Sequence, residues 1–192
     1  MKYWYSILLL IILVGCDIFS TRDPELPNET KSSYVSATQK EIVIQNLINA
    51  FAEKNADDYL KSFSNLDFVN RPFQFNPSST ALTTYQNIWV DWNLSSEVQS
   101  FNNMKTLVPD ESLVSLTLSS SPGSFSLFGD SWKYSSEYLL NVPTRDGDTL
   151  NFQGNVEFSM IPDSRSIFVI YFWKDNGFGD NPSWSDLKGS LY

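Results

Sequence analysis

Cys16 is the only cysteine in this 192-residue chain, and it stands directly behind an unbroken apolar run, Ile7–Val14. A thiol is the strongest side-chain nucleophile available for alkylation, and a solitary one has no partner for a disulfide. Histidine, which most often moves protons near neutral pH and most often binds zinc, is absent. Acid–base work would therefore fall to carboxylates and tyrosines. The candidates are Asp57-Asp58, Asp91, Glu137, Glu157 and the oxygen-rich loop 175–183, DNGFGDNPS. Serines abound, but no nucleophile-elbow pattern accompanies them.

Each candidate also has a structural reading. Asp57-Asp58 would begin a helix, where carboxylates stabilise free amides and the helix dipole. Asp91 lies between Trp89 and Trp92 and should point away from their stripe, into solvent. Glu137 and Glu157 fall on polar strand faces and would flank a cleft only if that face were concave. Asp175, Asn176, Asp180 and Asn181 offer the kind of oxygens that calcium takes. Their spacing departs from an EF-hand, so a glycine turn is the favoured reading. No catalytic, cofactor-binding or metal-ligating residue is assigned.

Ahead of the cysteine, Met1–Ser6 carries one cation, Lys2. A positive head, a short apolar middle and a small residue at the break describe a bacterial export signal. The run falls short of the roughly 20 apolar residues that a membrane helix needs. Leu13-Val14-Gly15-Cys16 resembles the lipobox of bacterial lipoproteins. The resemblance implies cleavage between Gly15 and Cys16, a diacylglyceryl thioether on Cys16, and acylation of the new amino group. Two or more chains hold stably, where one, at about 0.8 kcal/mol per buried CH₂, holds marginally. The competing readings are an ordinary secretory signal with an incidental cysteine, or an uncleaved anchor helix. Asp17 resembles the inner-membrane retention signal of enteric bacteria, a rule that does not transfer across phyla. The expected location is the bacterial cell envelope, on the periplasmic or outer-membrane face, with the membrane held through acyl chains on Cys16.

Composition narrows the partners. The formal charge is −9, and loss of Lys2 with the signal makes the mature form more acidic still. Such a chain repels phosphate backbones and anionic headgroups, which argues against nucleic acid and against membrane binding through a basic patch. Aromatics at 15% and hydrophobics at 42% support a packed core. The expected organisation is a signal peptide over 1–15, a lipidated flexible tether over 16–35 with Pro24 and Pro27, and a single domain over 36–192. The sequons at Asn28 and Asn93 carry no expectation of glycan in a bacterium.

Elements that could position the candidates follow from periodicity. Thr38 and Glu41 have capping-box spacing, and Ile44, Leu47, Ile48 and Phe51 form one helical stripe, predicting a helix over 38–54. Asn55 should cap a shorter helix with Tyr59, Leu60 and Phe63 inward. LDFVNRPFQF reads as an edge strand bent at Pro72. Tyr85, Ile88, Trp89 and Trp92 repeat helical spacing, continued by Val98, Phe101 and Lys105 until Pro109. From residue 111 the period becomes 2. Val114–Leu118, Trp132–Leu140 and Leu150–Met160 alternate as half-buried antiparallel strands, with turns at 144–148 and 161–166. Ile167–Trp173 is apolar on both faces, so its second face needs a cover, either Trp184 and Leu187 of SWSDLKG or a partner subunit.

This order of elements resembles the nuclear transport factor 2-like fold over residues 36–175. NADDYLKSFS after the opening helix and the closing strand IFVIYFWKD carry the resemblance locally. It implies an α+β, cystatin-like cone, with N-terminal helices packed on a curved antiparallel sheet. The lipobox, Trp173–Asp175 and SWSDLKG together resemble bacterial lipoproteins with this domain. Enzymes of the superfamily (ketosteroid isomerase, scytalone dehydratase, limonene epoxide hydrolase, polyketide cyclases) place Asp, Tyr or His in the cone. The histidines have no counterpart here. The expected function is a non-enzymatic domain binding a small apolar ligand or an envelope protein, with a homodimer through the open sheet face as one arrangement. The alternatives are a cavity enzyme using Asp and Tyr, and a calcium-supported adhesion module. A cone plugged by Phe and Trp would count against both catalysis and small-ligand binding, leaving protein–protein contact; converging Tyr and Asp would count for catalysis.

Overall fold

The period of 2 that begins after Pro109 becomes a curved, unclosed six-stranded sheet in a computed structural model that describes residues 31–119 and 124–192. Gly15 and Cys16 lie outside the described residues. The helices are α1 (Lys40–Glu53), α2 (Ala56–Leu60), α3 (Ser79–Thr84), α4 (Leu94–Leu107) and α5 (Trp184–Leu191). The strands are β1 (Gln74–Asn76), β2 (Ser115–Leu118), β3 (Ser124–Phe128), β4 (Ser131–Pro143), β5 (Thr149–Pro162) and β6 (Phe168–Gly177). Strand order is β1-β6-β5-β4-β2, with β3 also paired to β4. All pairs are antiparallel except β1 with β6. The fold is α+β and nuclear transport factor 2-like, as the element order led us to expect.

The strands keep their alternation. Tyr134, Tyr138 and Leu140 of β4 and Phe152, Val156 and Phe158 of β5 are buried toward the helices. Lys133 and Glu157 pair on the outer face at 3.0 Å. The β4–β5 turn closes through Thr144 N–H on the Asp148 carbonyl, with Gly147 at φ 90°, a conformation that favours glycine. Between β5 and β6, the Asp163 carboxylate accepts the amides of Arg165 and Ile167, fixing the second turn.

Several local expectations are corrected. Helix α1 begins at Lys40 with Gln39 as an uncapped N-cap, so the Thr38–Glu41 capping box does not form. Glu41 turns to Lys40 at 2.7 Å instead. The incoming chain is positioned by other bonds: Asn46 and Val35 exchange two hydrogen bonds, and the Ala37 carbonyl accepts Phe168 N–H. The part of the tether within the described residues is likewise bonded to the domain, Ser32 to Asp58 and Ser33 to Glu53. Residues 85–91 form turns and a bend rather than helix. Trp89 and Trp92 still point inward, because Trp89 Nε1 donates to the Ala81 carbonyl and both rings pack against Phe75. The expected edge strand shrinks to three residues, β1. Helix α3 and strand β3 were not anticipated, their Ser/Thr-rich sequences offering weak periodicity. On α4 the buried face holds Glu97, Phe101 and Met104, while Val98 and Lys105 are only half-buried.

The tail departs most from expectation. Trp184 and Leu187 do not cover the second face of β6; α5 enters the concave side. Trp184 meets Trp173 edge-on at 4.6 Å and Phe51 at 5.1 Å. Arg71, from the loop before β1, lies over the Tyr171 ring beside the bulge between β5 and β6. Gly189 lets α5 seat closely, since a Cβ there would overlap the Tyr85 ring. Trp184 is 1% exposed, so Trp184→Ala should cost about 3–5 kcal/mol, read as a lowered urea midpoint with an unchanged slope.

Candidate functional site

Within the cone, two clusters of polar groups converge, and neither was assigned from the sequence. In the first, Glu97 of α4 faces Lys188 of α5. Lys188 Nζ donates to both Glu97 oxygens, at 2.6 and 2.8 Å. Tyr59 of α2 donates to Oε2 and Trp92 Nε1 to Oε1, each at 2.6 Å. The ammonium also lies 3.4 Å from the Trp173 ring centroid and 3.8 Å from that of Phe75. Arg, Lys and aromatic faces attract one another most when water is excluded. Glu97 and Lys188 are 1% and 2% exposed. Burial draws the Lys188 ammonium down to about 8, against the upward pull of Glu97 and Asp175. Burial, reinforced by the Glu97 carboxylate, holds the Tyr59 phenol well above its usual range.

The second cluster docks the first turn of α5. Asp175 Oδ2 accepts the backbone N–H and the hydroxyl of Ser185, and Oδ1 accepts the Tyr138 hydroxyl at 2.8 Å. Tyr138 in turn accepts Trp184 N–H at 2.7 Å. Burial raises the Asp175 carboxyl, although Ser185 and Tyr138 favour its anion. Burial and the adjacent Asp175 raise Tyr138 as well. Ser183 caps α5 in a reciprocal box with Asp186.

The arrangement decides what these groups can do. Glu97 accepts four donors, which fills both oxygens. Asp175 accepts three, and Tyr138 both donates and accepts. The cavity left beside Glu97, Phe101, Trp184 and Lys188 is about 10 Å³, at the lower limit for one water. A Tyr–Asp pair thus does converge inside the cone, and aromatic side chains also plug it. With α5 seated, both Glu97 oxygens are filled, and the space beside them is too small for a substrate.

The residues singled out from sequence are placed elsewhere. The amides of Asp57 and Asp58 are capped by the Asn55 side chain, and the Asp58 carboxylate binds Lys61 at 2.8 Å. Asp91 and Glu137 are exposed, and Glu157 pairs with Lys133 on the outer face. Asp175 turns into the core, away from Asp180 and Asn181, so loop 175–183 does not assemble its oxygens. Gly179 at φ 56° and Asn181 N–H on the Phe178 carbonyl make it a turn. Among the described residues, no three His, Cys, Asp or Glu side chains group as a metal site, and no helix is long and apolar enough to cross a membrane. A signal for Glu97 did exist: it stands at i, i+4, i+7 with Phe101 and Met104. Lys188 had none, since its partner lies 91 residues away.

No protein-family model matches the chain, and no curated protein does. Solved structures do. A nuclear transport factor 2-like superfamily protein from Salmonella enterica superposes with a TM-score of 0.53 at 14% identity, over 72% of this chain and 87% of that one. A protein from Kribbella flavida gives 0.54 at 9%, over 76% and 91%. A Novosphingobium aromaticivorans chain proposed to be an aromatic ring hydroxylase gives 0.55 at 11%, over 76% and 91%. At these identities the likeness establishes the fold and carries no chemistry with it.

Removing one member of a buried ion pair leaves the other charge stranded. Lys188→Met should therefore cost about 3–5 kcal/mol, and Glu97→Gln with Lys188→Met should recover most of that, by urea unfolding. The sign of the pH effect follows from the lysine. Folding lowers its pKa from 10.5 to about 8, so the unfolded chain holds the proton more tightly and ionised Lys188 opposes folding. Its contribution to stability is present above pH 10.5 and lost as pH falls through about 8. Relative to the double variant, the parent should gain stability from about pH 8 to 10.

Proposed function

We propose that this chain is a membrane-anchored lipoprotein of the bacterial envelope whose domain binds rather than catalyses. The anchor rests on the sequence alone: Lys2, the apolar run Ile7–Val14, and Gly15-Cys16 at its end. The observation that carries the binding half is the filled cone. Residues that a cavity enzyme would aim at substrate are spent on α5, and the residual cavity is about 10 Å³. Interaction then falls to the surface. A second copy on the outer sheet face is one partner that fits, since Leu139 is 40% exposed there among paired charges.

Native mass spectrometry of protein taken from its own envelope tests this. The expected mass is that of a chain starting at Cys16 plus its acyl groups, carrying a retained ligand, a second copy or an envelope partner. Cys16→Ser should leave the full precursor without added lipid. Processing, mass and membrane fractionation all unaltered by that change would overturn the reading.

A cavity enzyme working through Tyr138 and Asp175 is the second reading, favoured by their 2.8 Å contact. It requires α5 to withdraw. Hydrogen exchange separates the two: the Trp184 and Ser185 amides should exchange only with global unfolding in a binding module, and by frequent local opening in an enzyme.

A further inference from the structure

At one end of the sheet two large apolar side chains stand largely in solvent. Leu127 and Phe128, at the tip of the β3–β4 hairpin, are 62% and 69% exposed. The base of the hairpin is fixed, since Phe125 packs against Tyr134 at 5.0 Å. Among the described residues β3 pairs with β4 alone, so the tip carries these side chains clear of the core. Gly129, at φ 62°, and Asp130 close the turn between Phe128 and Ser131.

What surrounds the tip suits a boundary between lipid and water. Trp132, half-buried, stands directly opposite Leu127, and Tyr171 lies under Arg71. Tryptophan and tyrosine collect at such a boundary because an apolar ring carries a polar edge. Three cations stand behind the tip: Lys133 over the Phe128 ring at 5.1 Å, Lys40 over Trp132 at 4.4 Å, and Arg71 on Asp130 at 2.7 Å. Long cationic side chains lay their stems along apolar surface and keep their heads in water. Each cation has a carboxylate partner, Glu157, Glu41 or Asp130. The three pairs sum to zero, so the tip escapes the repulsion that a net charge of −9 exerts on anionic headgroups.

The chain that leads back to Cys16 leaves the domain at this same end. The Ala37 carbonyl accepts Phe168 N–H; Phe168 pairs with Pro162, and two residues back along β5 Met160 pairs with Trp132. The fifteen peptide links from Cys16 to Lys31 span at most about 54 Å, comparable with the roughly 43 Å of the 13-residue β4. Joining two contacts to one surface raises the effective concentration of the second, so a weak insertion is enough. We infer that the β3–β4 tip enters the bilayer that holds the anchor, with Leu127 and Phe128 at the acyl boundary and Lys40, Lys133 and Arg71 among the headgroups. This deepens the proposed function by naming a membrane surface as the domain's own partner, and it rests on the lipid anchor. It also sets an orientation: the 144–148 turn, at the other end of β4, points away from the bilayer.

Spin-label spectroscopy of the acylated full chain in equimolar phosphatidylethanolamine–phosphatidylglycerol vesicles tests it. With Cys16 acylated, Ser126→Cys or Leu113→Cys supplies the only free thiol. Ser126 is exposed beside Leu127, and Leu113 is exposed just before β2, whose Ser115 pairs with Asn141 at the far end of β4. A nitroxide at 126 should be relaxed more by oxygen, which concentrates in lipid, than by a water-soluble nickel chelate. One at 113 should show the reverse. Adding Leu127→Ser and Phe128→Ser should abolish the oxygen preference at 126, while the chain still floats with the vesicles and keeps its circular dichroism spectrum. Nickel preference at 126, poor access of both relaxants there (the mark of a protein contact), or an oxygen preference indifferent to the two serines would each overturn the proposal. Any of those results on an acylated chain defeats the insertion alone. A mass showing Cys16 unmodified would defeat the anchor, and the insertion with it.

Discussion

An ammonium and a carboxylate lie together at the centre of this domain, inside a wall of aromatic rings. Taking Glu97 and Lys188 out of water is expensive for each alone. The cost is offset in part by two bonds from Lys188, one from Tyr59, one from Trp92, and the ring faces of Trp173 and Phe75 under the ammonium. The pair joins α4 to α5, and through Tyr59 reaches α2. The helices that line the cone are thereby tied to one another. That dependence is a better account of this interior than apolar packing alone, since hydrophobic contact would tolerate α5 in several registers.

The second cluster explains why the register is single. Asp175, near the end of β6, receives both the amide and hydroxyl of Ser185, while Tyr138 of β4 bridges Asp175 and the Trp184 amide. The first turn of α5 is thus tied to two strands before Trp184 enters among Phe51, Tyr138 and Trp173. The concave side of the sheet is here occupied by α5. Tyr138 and Asp175, the pair that converges there, hold the first turn of that helix in place.

Open space and exposed apolar side chains lie outside that interior. One such space lies between α1 and the β3–β4 pair, and another beside Phe63 and Leu94. The outer face of the sheet carries paired charges with isolated apolar residues.

Much of the architecture was legible along the chain. The stripe at Ile44, Leu47, Ile48 and Phe51 and the alternation from Val114 to Met160 report local burial, and burial on a regular element repeats with that element's period. Asn55 as a cap and the turn at 144–148 are short-range for the same reason. Where the reading failed, competing contacts decided. Thr38 lost its cap to a chain path fixed by Asn46, and the helical spacing of Trp89 and Trp92 was realised by turns whose rings follow Phe75. The interior site was decided by tertiary structure alone. Glu97 and Lys188 are 91 residues apart, and each by itself reads as a solvated charge on a helix. Only the closing of the sheet around α4 and α5 brings them together and shuts out water. That closure turns two ordinary surface residue types into the centre of the molecule, a step for which local sequence carries no period and no spacing.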